Sequence, residues 1–262
     1  MRVMILAAGR GTRISRYLSG NPKCTVDIGG GKKLIQYTVE TLLKKGVSQI
    51  AIALGYRADV IRDVLKEYPG IQYYENPFFD VTNSIASAWF AQEFLKPCED
   101  TVIMNGDVYL EERLMDYILK YGTESACTAK DGAVRSFCWD RKSPVMFADG
   151  SRKKEADYKF LYEDGILKKY GKELEEWETS GEYIGIGYFS GDFIRWFIEE
   201  MNRKIRKQEH SVWWENVVYG LVGKEPVFVE EIHGMFWAEV DYIEDYDRIL
   251  EFRGYADRRV VR

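Results

Sequence analysis

The chain has 262 residues, of which 46% are hydrophobic and 30% are charged, a composition that fits a folded protein with a sizeable core. Its 37 basic and 42 acidic side chains give a formal net charge of −5, and it has no long basic tract, which argues against nucleic acid as a partner. No apolar run reaches the roughly 18 residues of a membrane span, and the run at 3–8 is too short for the centre of a signal peptide.

Strands and helices are predicted to alternate through the first ~120 residues. Continuous apolar runs, typical of strands buried on both faces of a parallel sheet, occur at 3–6, 49–54, 71–74 and 101–104. Helical spacing of apolar residues occurs at 34–45, 58–68, 84–95 and 111–120. Gly46 and Pro69 follow two of these segments as helix stops. This alternation predicts a Rossmann-like, doubly wound α/β fold with a mixed, mostly parallel sheet.

The pattern changes after Glu124. Turn pairs in ADGS at 148–151 and EDG at 163–165 predict hairpin corners. Further strands are predicted at 183–189, 227–231 and 236–240, and helices at 192–207, at 213–221 and near the end of the chain. No linker or repeat separates the two parts. We therefore expect one domain, 1–262, whose second half adds a small inserted β region to the same sheet.

The cysteines point to a reducing compartment. Cys24, Cys98, Cys127 and Cys138 show neither metal-binding nor redox spacing. Four such thiols in a chain of this length are typical of a reduced, cytoplasmic protein.

A glycine-rich loop, LAAGRGTR at 6–13, leaves the first predicted strand. Ligands of open α/β sheets bind at the carboxyl ends of the strands, where glycines let backbone N–H groups approach phosphate oxygens. Arg13 adds a cation suited to bidentate phosphate contact. Because Ile14 stands where a dinucleotide GxGxxG loop has its third glycine, and because no Gly-Lys-Ser/Thr occurs, two common nucleotide-binding motifs are excluded.

Three further short motifs follow along the chain, namely NPKC at 21–24, NGD at 105–107 and WAEVD at 237–241. They place Lys23 shortly after the loop, Asp107 at the end of the fourth strand and Asp241 at the end of a late strand. Each residue also has an ordinary explanation, as a surface lysine, a turn residue and a helix N-cap respectively. Their meeting at one edge of the sheet would favour a common site.

The four motifs, in this order, resemble those of the sugar-nucleotidyltransferase-like superfamily, from Met1 to about residue 250. The resemblance implies a nucleotide-diphospho-sugar transferase fold and attack of an acceptor phosphate on the α-phosphorus of a nucleoside triphosphate, with pyrophosphate leaving. It implies catalytic roles for Lys23 and Arg13, and Mg²⁺ held by Asp107 and Asp241. Residues 1–125 would then bind the nucleotide and residues 126–262 the acceptor. The nucleotide-binding residues expected are Leu6, Ala7, Ala8, Gly9, Gly11, Thr12, Arg13, Lys23, Gly55, Tyr56, Asn83, Ser84 and Asp107.

The segment NPFFDVTNSIASAWFA at 76–91 lacks the small-residue stretch usual in enzymes of sugar 1-phosphates. It looks like the CTP:phosphocholine cytidylyltransferase branch, as do WWEN at 213–216 and WAEVD, and that branch implies CTP as the donor. A quaternary ammonium cannot donate hydrogen bonds and is recognised by aromatic faces and carboxylates. The acceptor-binding residues expected are Glu182, Tyr183, Trp213, Trp214 and Glu239. A primary ammonium, as in phosphoethanolamine or aminoethylphosphonate, would prefer the carboxylates, and the sequence leaves both acceptors open.

Three functions are therefore compared. The first is an Mg²⁺-dependent cytidylyltransferase for a small phosphorylated amine, with phosphocholine as the leading acceptor. The second is a hexose-1-phosphate nucleotidylyltransferase, against which the segment 76–91 argues. The third is an inactive regulatory subunit, which would have no reason to retain Lys23, Asp107 and Asp241 together. We expect CTP and the acceptor as partners, and a monomer or homodimer.

Overall fold

The computed structural model describes residues 1–11, 13–14, 18–124 and 143–255. Thr12, Cys127 and Cys138 lie outside these residues. The strands are β1 (Arg2–Ala7), β2 (Gln49–Leu54), β3 (Gln72–Glu75), β4 (Thr101–Asn105), β5 (Val108–Leu110), β6 (Val145–Asp149), β7 (Lys159–Glu163), β8 (Ile166–Gly171), β9 (Gly181–Phe189), β10 (Phe228–Glu231) and β11 (Trp237–Glu239). The α-helices are α1 (Leu34–Lys44), α2 (Ala58–Val64), α3 (Ser84–Phe90), α4 (Glu112–Glu124), α5 (Gly191–Arg206), α6 (Glu215–Tyr219) and α7 (Ile243–Phe252).

Nine strands form one sheet in the order β3-β2-β1-β4-β9-β6-β10-β8-β7. The strands β3, β2, β1 and β4 pair in parallel, and β9 joins β4 and β6 in antiparallel fashion. Only β9 and β8 run against the direction of the other seven strands. Since β7 also pairs with the first residues of β9, the strands β9, β6, β10, β8 and β7 close into a ring. The predicted mixed, mostly parallel sheet with a small β region in its second half is confirmed.

Helices cover both faces of the sheet, which explains the continuous apolar runs of its first strands. Successive side chains of a strand point to opposite faces. Val3 and Ile5 pack with residues of α1, α2 and α4. Met4 and Leu6 pack with residues of α3, α5 and α6. The first strand is therefore buried on both sides, as its composition predicts.

Two short strands stand apart from this sheet. β5 and β11 pair only with each other, in a two-stranded antiparallel ribbon that packs with Ile249 of α7. The predicted strand at 236–240 is thus present but does not extend the main sheet. β5 is too short for its pattern to be recognised, since three residues, Val108–Leu110, are apolar without any period.

The two predicted hairpin corners have different outcomes. Asp164 and Gly165 join the paired strands β7 and β8, and both have the positive φ angles (50° and 69°) of a two-residue type I′ turn. The ADGS turn at 148–151 is not a hairpin corner, because β6 pairs with β9 and β10 and not with β7. The Asp149 side chain accepts a hydrogen bond from the backbone N–H of Ser151 instead, which ends the strand without reversing it onto its neighbour.

Two predicted helices end earlier than their patterns suggest. α2 stops at Val64, and the next residues continue in turns in which the N–H of Tyr68 bonds to the carbonyl of Leu65. α3 stops at Phe90 and is followed by a 3₁₀ turn at Gln92–Phe94. Turns and 3₁₀ geometry at the end of a helix keep nearly the same spacing of apolar residues as the helix itself. The periodicity of the sequence therefore does not show where the α-helix ends. In the part of the chain that the structure describes, no helix combines the length and the apolar character needed to cross a membrane.

Candidate active site

A cavity of about 490 Å³ lies at the carboxyl ends of β1 and β4, beside the first half of β9. The lining residues that the sequence predicted are Leu6, Ala7, Ala8, Gly9, Gly11, Arg13, Lys23, Asn83, Ser84, Asp107, Tyr183, Trp213, Glu239 and Asp241. The structure thus brings together residues from seven separate stretches of sequence. Thr12 belongs to the same loop but lies outside the described residues.

The glycine-rich loop is held at two points and crossed by a lysine. The carbonyl of Leu6 accepts a hydrogen bond from the N–H of Gly106 at 2.8 Å, and that of Ala8 accepts one from the N–H of Tyr56 at 3.0 Å. Gly11 has a φ of +63°, and a Cβ there would overlap the side chain of Lys23. This position therefore requires glycine for its backbone conformation and for the space that Lys23 occupies.

The ribbon of β5 and β11 explains how the two aspartates meet. Asp107 directly precedes β5, and Asp241 follows β11. Antiparallel pairing sets Glu239 opposite Val108, and the N–H of Val240 bonds to the carbonyl of Asp107 at 2.9 Å. The start of one strand is thereby fixed beside the end of the other, although the two are far apart in sequence. Asp241 is not the N-cap of α7, a position that Tyr242 occupies.

Three carboxylates and two cations form the charged end of the cavity. Asp107, Glu239 and Asp241 each offer an oxygen, and these oxygens all lie within 4.8 Å of one another. The ammonium of Lys23 bonds to Asp241 and lies 3.4 Å from Asp107. The guanidinium of Arg13 lies 2.5 Å from the other oxygen of Asp241. The cluster supplies the hard oxygen ligands that Mg²⁺ prefers, so the residues present fit this ion.

The charged groups at this end change one another's pKa values. Burial works against the charged form of Lys23, but the carboxylates of Asp107 and Asp241 outweigh it and raise the pKa of the lysine. Asp241 likewise raises the pKa of Arg13. Burial and the neighbouring charges of Asp107 and Asp241 raise the pKa of Glu239 well above its usual range. Lys23 and Arg13 are therefore cationic throughout the physiological pH range.

A second region of the cavity wall is aromatic and acidic. Its walls include Tyr158, Tyr183, Trp213 and Tyr219, and Tyr158 lies 5.3 Å from Trp213 and 5.9 Å from Tyr219 between ring centres. Glu215, at the start of α6, lines the same space although it is only 5% exposed. Burial raises its pKa to about 7. We call these five residues the acceptor end.

Trp214 does not line the cavity, contrary to its predicted role. It is completely buried in the core, where its indole N–H donates to the Asn105 side chain at 3.1 Å. Its backbone N–H donates to the hydroxyl of Ser84 at 3.0 Å. Trp214 therefore fixes the start of α6 against β4 and α3, and its neighbour Trp213, 39% exposed, is the one that reaches the cavity.

Glu182 also lies outside the cavity. Its two carboxylate oxygens accept hydrogen bonds from the Arg152 side chain and from the backbone N–H of Asp157, both at 2.8 Å. Both partners belong to the connection between β6 and β7, which carries the wall residues Asp157 and Tyr158. Glu182 thus positions the wall instead of forming it.

Gly55 and Tyr56 support the glycine-rich loop from behind. A Cβ at Gly55 would lie 2.7 Å from the carbonyl oxygen of Ala8 and 2.6 Å from Phe79. The Tyr56 hydroxyl donates to the carbonyl of Gly20 at 2.9 Å. Neither residue lines the cavity in the structure, so their contribution to the site is indirect.

Sequence reasoning missed several residues that line the cavity, namely Pro22, Cys24, Phe79, Thr82, Ser87, Asn105, Gly106, Asp157, Tyr158, Lys172, Gly185, Glu215 and Tyr219. Asn105 and Glu215 stand within the motifs NGD and WWEN, so a signal for them was present. Tyr158, Lys172 and Tyr219 lie in segments without a motif, and only the folding of β7, β8 and α6 around β9 brings them here.

Comparison with known proteins agrees with this geometry. A CTP:phosphoglutamine cytidylyltransferase from Campylobacter jejuni is 26% identical to this chain. The alignment, 265 positions long with its gaps, covers 96% of this chain and 100% of that protein. A choline-phosphate cytidylyltransferase from Streptococcus pneumoniae is 26% identical over 260 residues, covering 96% of this chain and 97% of that protein. The solved structure of a CTP:phosphocholine cytidylyltransferase from Streptococcus pneumoniae has the same fold, with a TM-score of 0.71 at 22% identity, over 96% of this chain and 98% of that one.

The family is established by the part of the chain that carries the glycine-rich loop, Lys23 and Asp107. Residues 3–174 match the MobA-like NTP transferase domain. The expected resemblance to nucleotidyltransferases is confirmed, and the chain belongs to the MobA-like NTP transferase domain family.

Proposed function

We propose that the chain transfers CMP from CTP to a small phosphorylated or phosphonate amine, releases pyrophosphate and requires Mg²⁺. The observation that carries the proposal is one cavity that joins a cluster of cations and carboxylates to an aromatic, acidic end. The first end suits a triphosphate, and the second suits a small cationic group. The two cytidylyltransferases described above, for phosphoglutamine and choline phosphate, support CTP as the donor and a phosphorylated, nitrogen-bearing acceptor.

Charge neutralisation is the main task of such a site. The acceptor phosphate and the triphosphate are both anions, so they repel each other unless cations hold them in line. The backbone N–H groups of Gly9 and Gly11 and the guanidinium of Arg13 would bind the triphosphate. The ammonium of Lys23 would bind the phosphate oxygens at the reacting centre, where its raised pKa keeps it charged.

Asp107 and Asp241 would hold Mg²⁺, with Glu239 beside them. The bound ion supplies positive charge that offsets the negative charge developing on the phosphate oxygens. Since Lys23 bonds to the same carboxylates, they would also hold its ammonium in place for the reacting phosphates. Residues 1–125 would supply most contacts to the nucleotide, and residues 126–262 most contacts to the acceptor.

A pyrophosphate-release screen tests the proposal. CTP, UTP and dTTP are each combined with phosphocholine, phosphoethanolamine, aminoethylphosphonate, phosphoglutamine and hexose 1-phosphates, with and without Mg²⁺. We expect release with CTP, Mg²⁺ and at least one of the nitrogen-bearing acceptors, and a background rate when the acceptor is omitted. Release only with hexose 1-phosphates would instead make the chain a nucleotide-sugar enzyme, and no release with any pair would favour an inactive member of the family.

A further inference from the structure

The acceptor end contains a buried carboxylate without a cationic partner. Glu215 is only 5% exposed, and it forms no ion pair with any residue that the structure describes. Lys172 lines the same cavity, but its ammonium pairs with Asp157 at 2.6 Å. A carboxylate held in this way favours a ligand that brings its own positive charge.

Two buried hydroxyl groups at the acceptor end are also without partners. The hydroxyls of Tyr183 and Tyr219 are shielded from solvent, and neither has a hydrogen-bond partner within the described ranges. Both side chains line the cavity, as Glu215 does. A buried polar group without a partner is costly, so three oxygen-bearing groups in one place favour a ligand that carries hydrogen-bond donors.

Each of these two tyrosine rings already stacks on another ring. Tyr183 stacks on Phe160 with 5.1 Å between ring centres, and Tyr219 stacks on Tyr170 at 4.1 Å. A quaternary ammonium binds through ring faces because it has no N–H group to donate. The stacked faces are closed to a ligand, and the hydroxyls are the groups of these two tyrosines that a ligand could still satisfy.

We propose that the acceptor end selects a primary ammonium group, which donates hydrogen bonds to Glu215, Tyr183 and Tyr219, over a fully methylated one. The inference rests on the proposed function and names the class of acceptor for that same site. A primary ammonium has three N–H donors, one for each group, and the partly exposed Trp213 lines the same cavity. A trimethylammonium has no N–H group to offer the two hydroxyls or the carboxylate, and sites built to bind an N–H group reject analogues that lack it.

A methylation series tests this selection. Pyrophosphate release with CTP and Mg²⁺ is measured for phosphoethanolamine, its N-methyl and N,N-dimethyl derivatives and phosphocholine. We expect kcat/KM to fall with each methyl group and to be lower by about a hundredfold or more for phosphocholine than for phosphoethanolamine. Equal or higher kcat/KM for phosphocholine would overturn the inference and leave the proposed function standing. Turnover of hexose 1-phosphates alone would overturn both.

Single hydroxyl deletions assign the effect to the named residues. Tyr183→Phe and Tyr219→Phe keep the rings and should narrow the ratio of kcat/KM between phosphoethanolamine and phosphocholine by about tenfold each. Tyr170→Phe is the matched control, because Tyr170 stacks on Tyr219 but does not line the cavity. It should leave the ratio unchanged. An unchanged ratio in both cavity variants, or an equal change in the control, would contradict the assignment.

Discussion

The two ends of the cavity are built in opposite ways. At the charged end, Lys23 and Arg13 are paired with carboxylates before any substrate arrives. At the acceptor end, Glu215 has no cationic partner, and the hydroxyls of Tyr183 and Tyr219 have no hydrogen-bond partner, among the described residues. On the proposed function, the first end would serve every acceptor alike, and the second would supply the selectivity. Substitutions at the first should therefore lower turnover with all acceptors, and substitutions at the second should change the preference among them.

The largest effect is expected for Asp107→Asn. The substitution removes one of the charges that would hold Mg²⁺ but keeps the shape of the side chain, so Mg²⁺-dependent pyrophosphate release should be lost for every acceptor while the fold is retained. Pyrophosphate assays and circular dichroism measure the two properties. Asp63→Asn, an exposed aspartate paired with Lys66 on the surface, is the control and should be active. Near-normal turnover of Asp107→Asn would remove this residue from the metal site.

Lys23→Ala should lower kcat by about a hundredfold to a thousandfold, as expected for one preorganised charge at a transition state. The loss should be the same for all acceptors, since Lys23 lies at the charged end. Steady-state kinetics with two acceptors measures the loss of kcat and shows whether it is the same for both. A loss of about tenfold or less would mean that Lys23 does not contact the reacting phosphates.

A third prediction concerns the effect of Glu215 on the free energy of unfolding. Burial raises its pKa from 4.5 to about 7, so between these pH values the folded chain binds a proton that the unfolded chain has released. The group therefore makes folding less favourable as the pH rises through that window, and the penalty is constant above it. Glu215→Gln cannot ionise, and its free energy of unfolding relative to the natural chain should be higher at pH 8 than at pH 5, by roughly 2–3 kcal/mol at about 1.4 kcal/mol per pKa unit. Urea unfolding at both pH values measures this, and an equal difference at the two would contradict it.

The smallest effect is expected for Glu182→Gln, which weakens the bonds to Arg152 and to the backbone of Asp157. Because this connection carries Tyr158, the KM for the acceptor should rise by about tenfold, while kcat and the KM for CTP change little. Glu176→Gln removes an exposed charge 3.9 Å from Lys154 of the same connection and should change neither KM. An equal rise in the KM for CTP would show a general loss of structure instead.

The contrast between the two ends also explains which parts of the site can be predicted from the sequence. The charged end rests on short motifs at strand ends, where backbone conformation and residue type are fixed together, as at Gly11 and Lys23. The positions of the strands along the first half of the chain follow from apolar runs, and β2 has the predicted bounds of 49–54. These are local properties, and a single sequence records them.

The acceptor end depends on contacts between distant segments, and a local pattern cannot record those. Trp213 and Trp214 are indistinguishable as sequence, and only the packing of α6 sends one to the cavity and the other to the core. From the sequence, Glu182 is a reasonable candidate for a carboxylate that lines the pocket. Only the structure shows that it instead bonds to the connection between β6 and β7. The pairing of β5 with the predicted strand β11 was missed because β5 has only three residues.

The position of β9 has one more consequence. This strand is hydrogen-bonded to β4 through residues near its end and to β7 through Gly181 and Glu182 at its start, and it carries Tyr183 between them. The reach from Asp107, just past β4, to Tyr183 is thus set by one continuous ladder of backbone bonds, which stretches very little. On the proposed function, this fixed distance would limit the number of bonds between phosphorus and nitrogen in an acceptor that the site can bind.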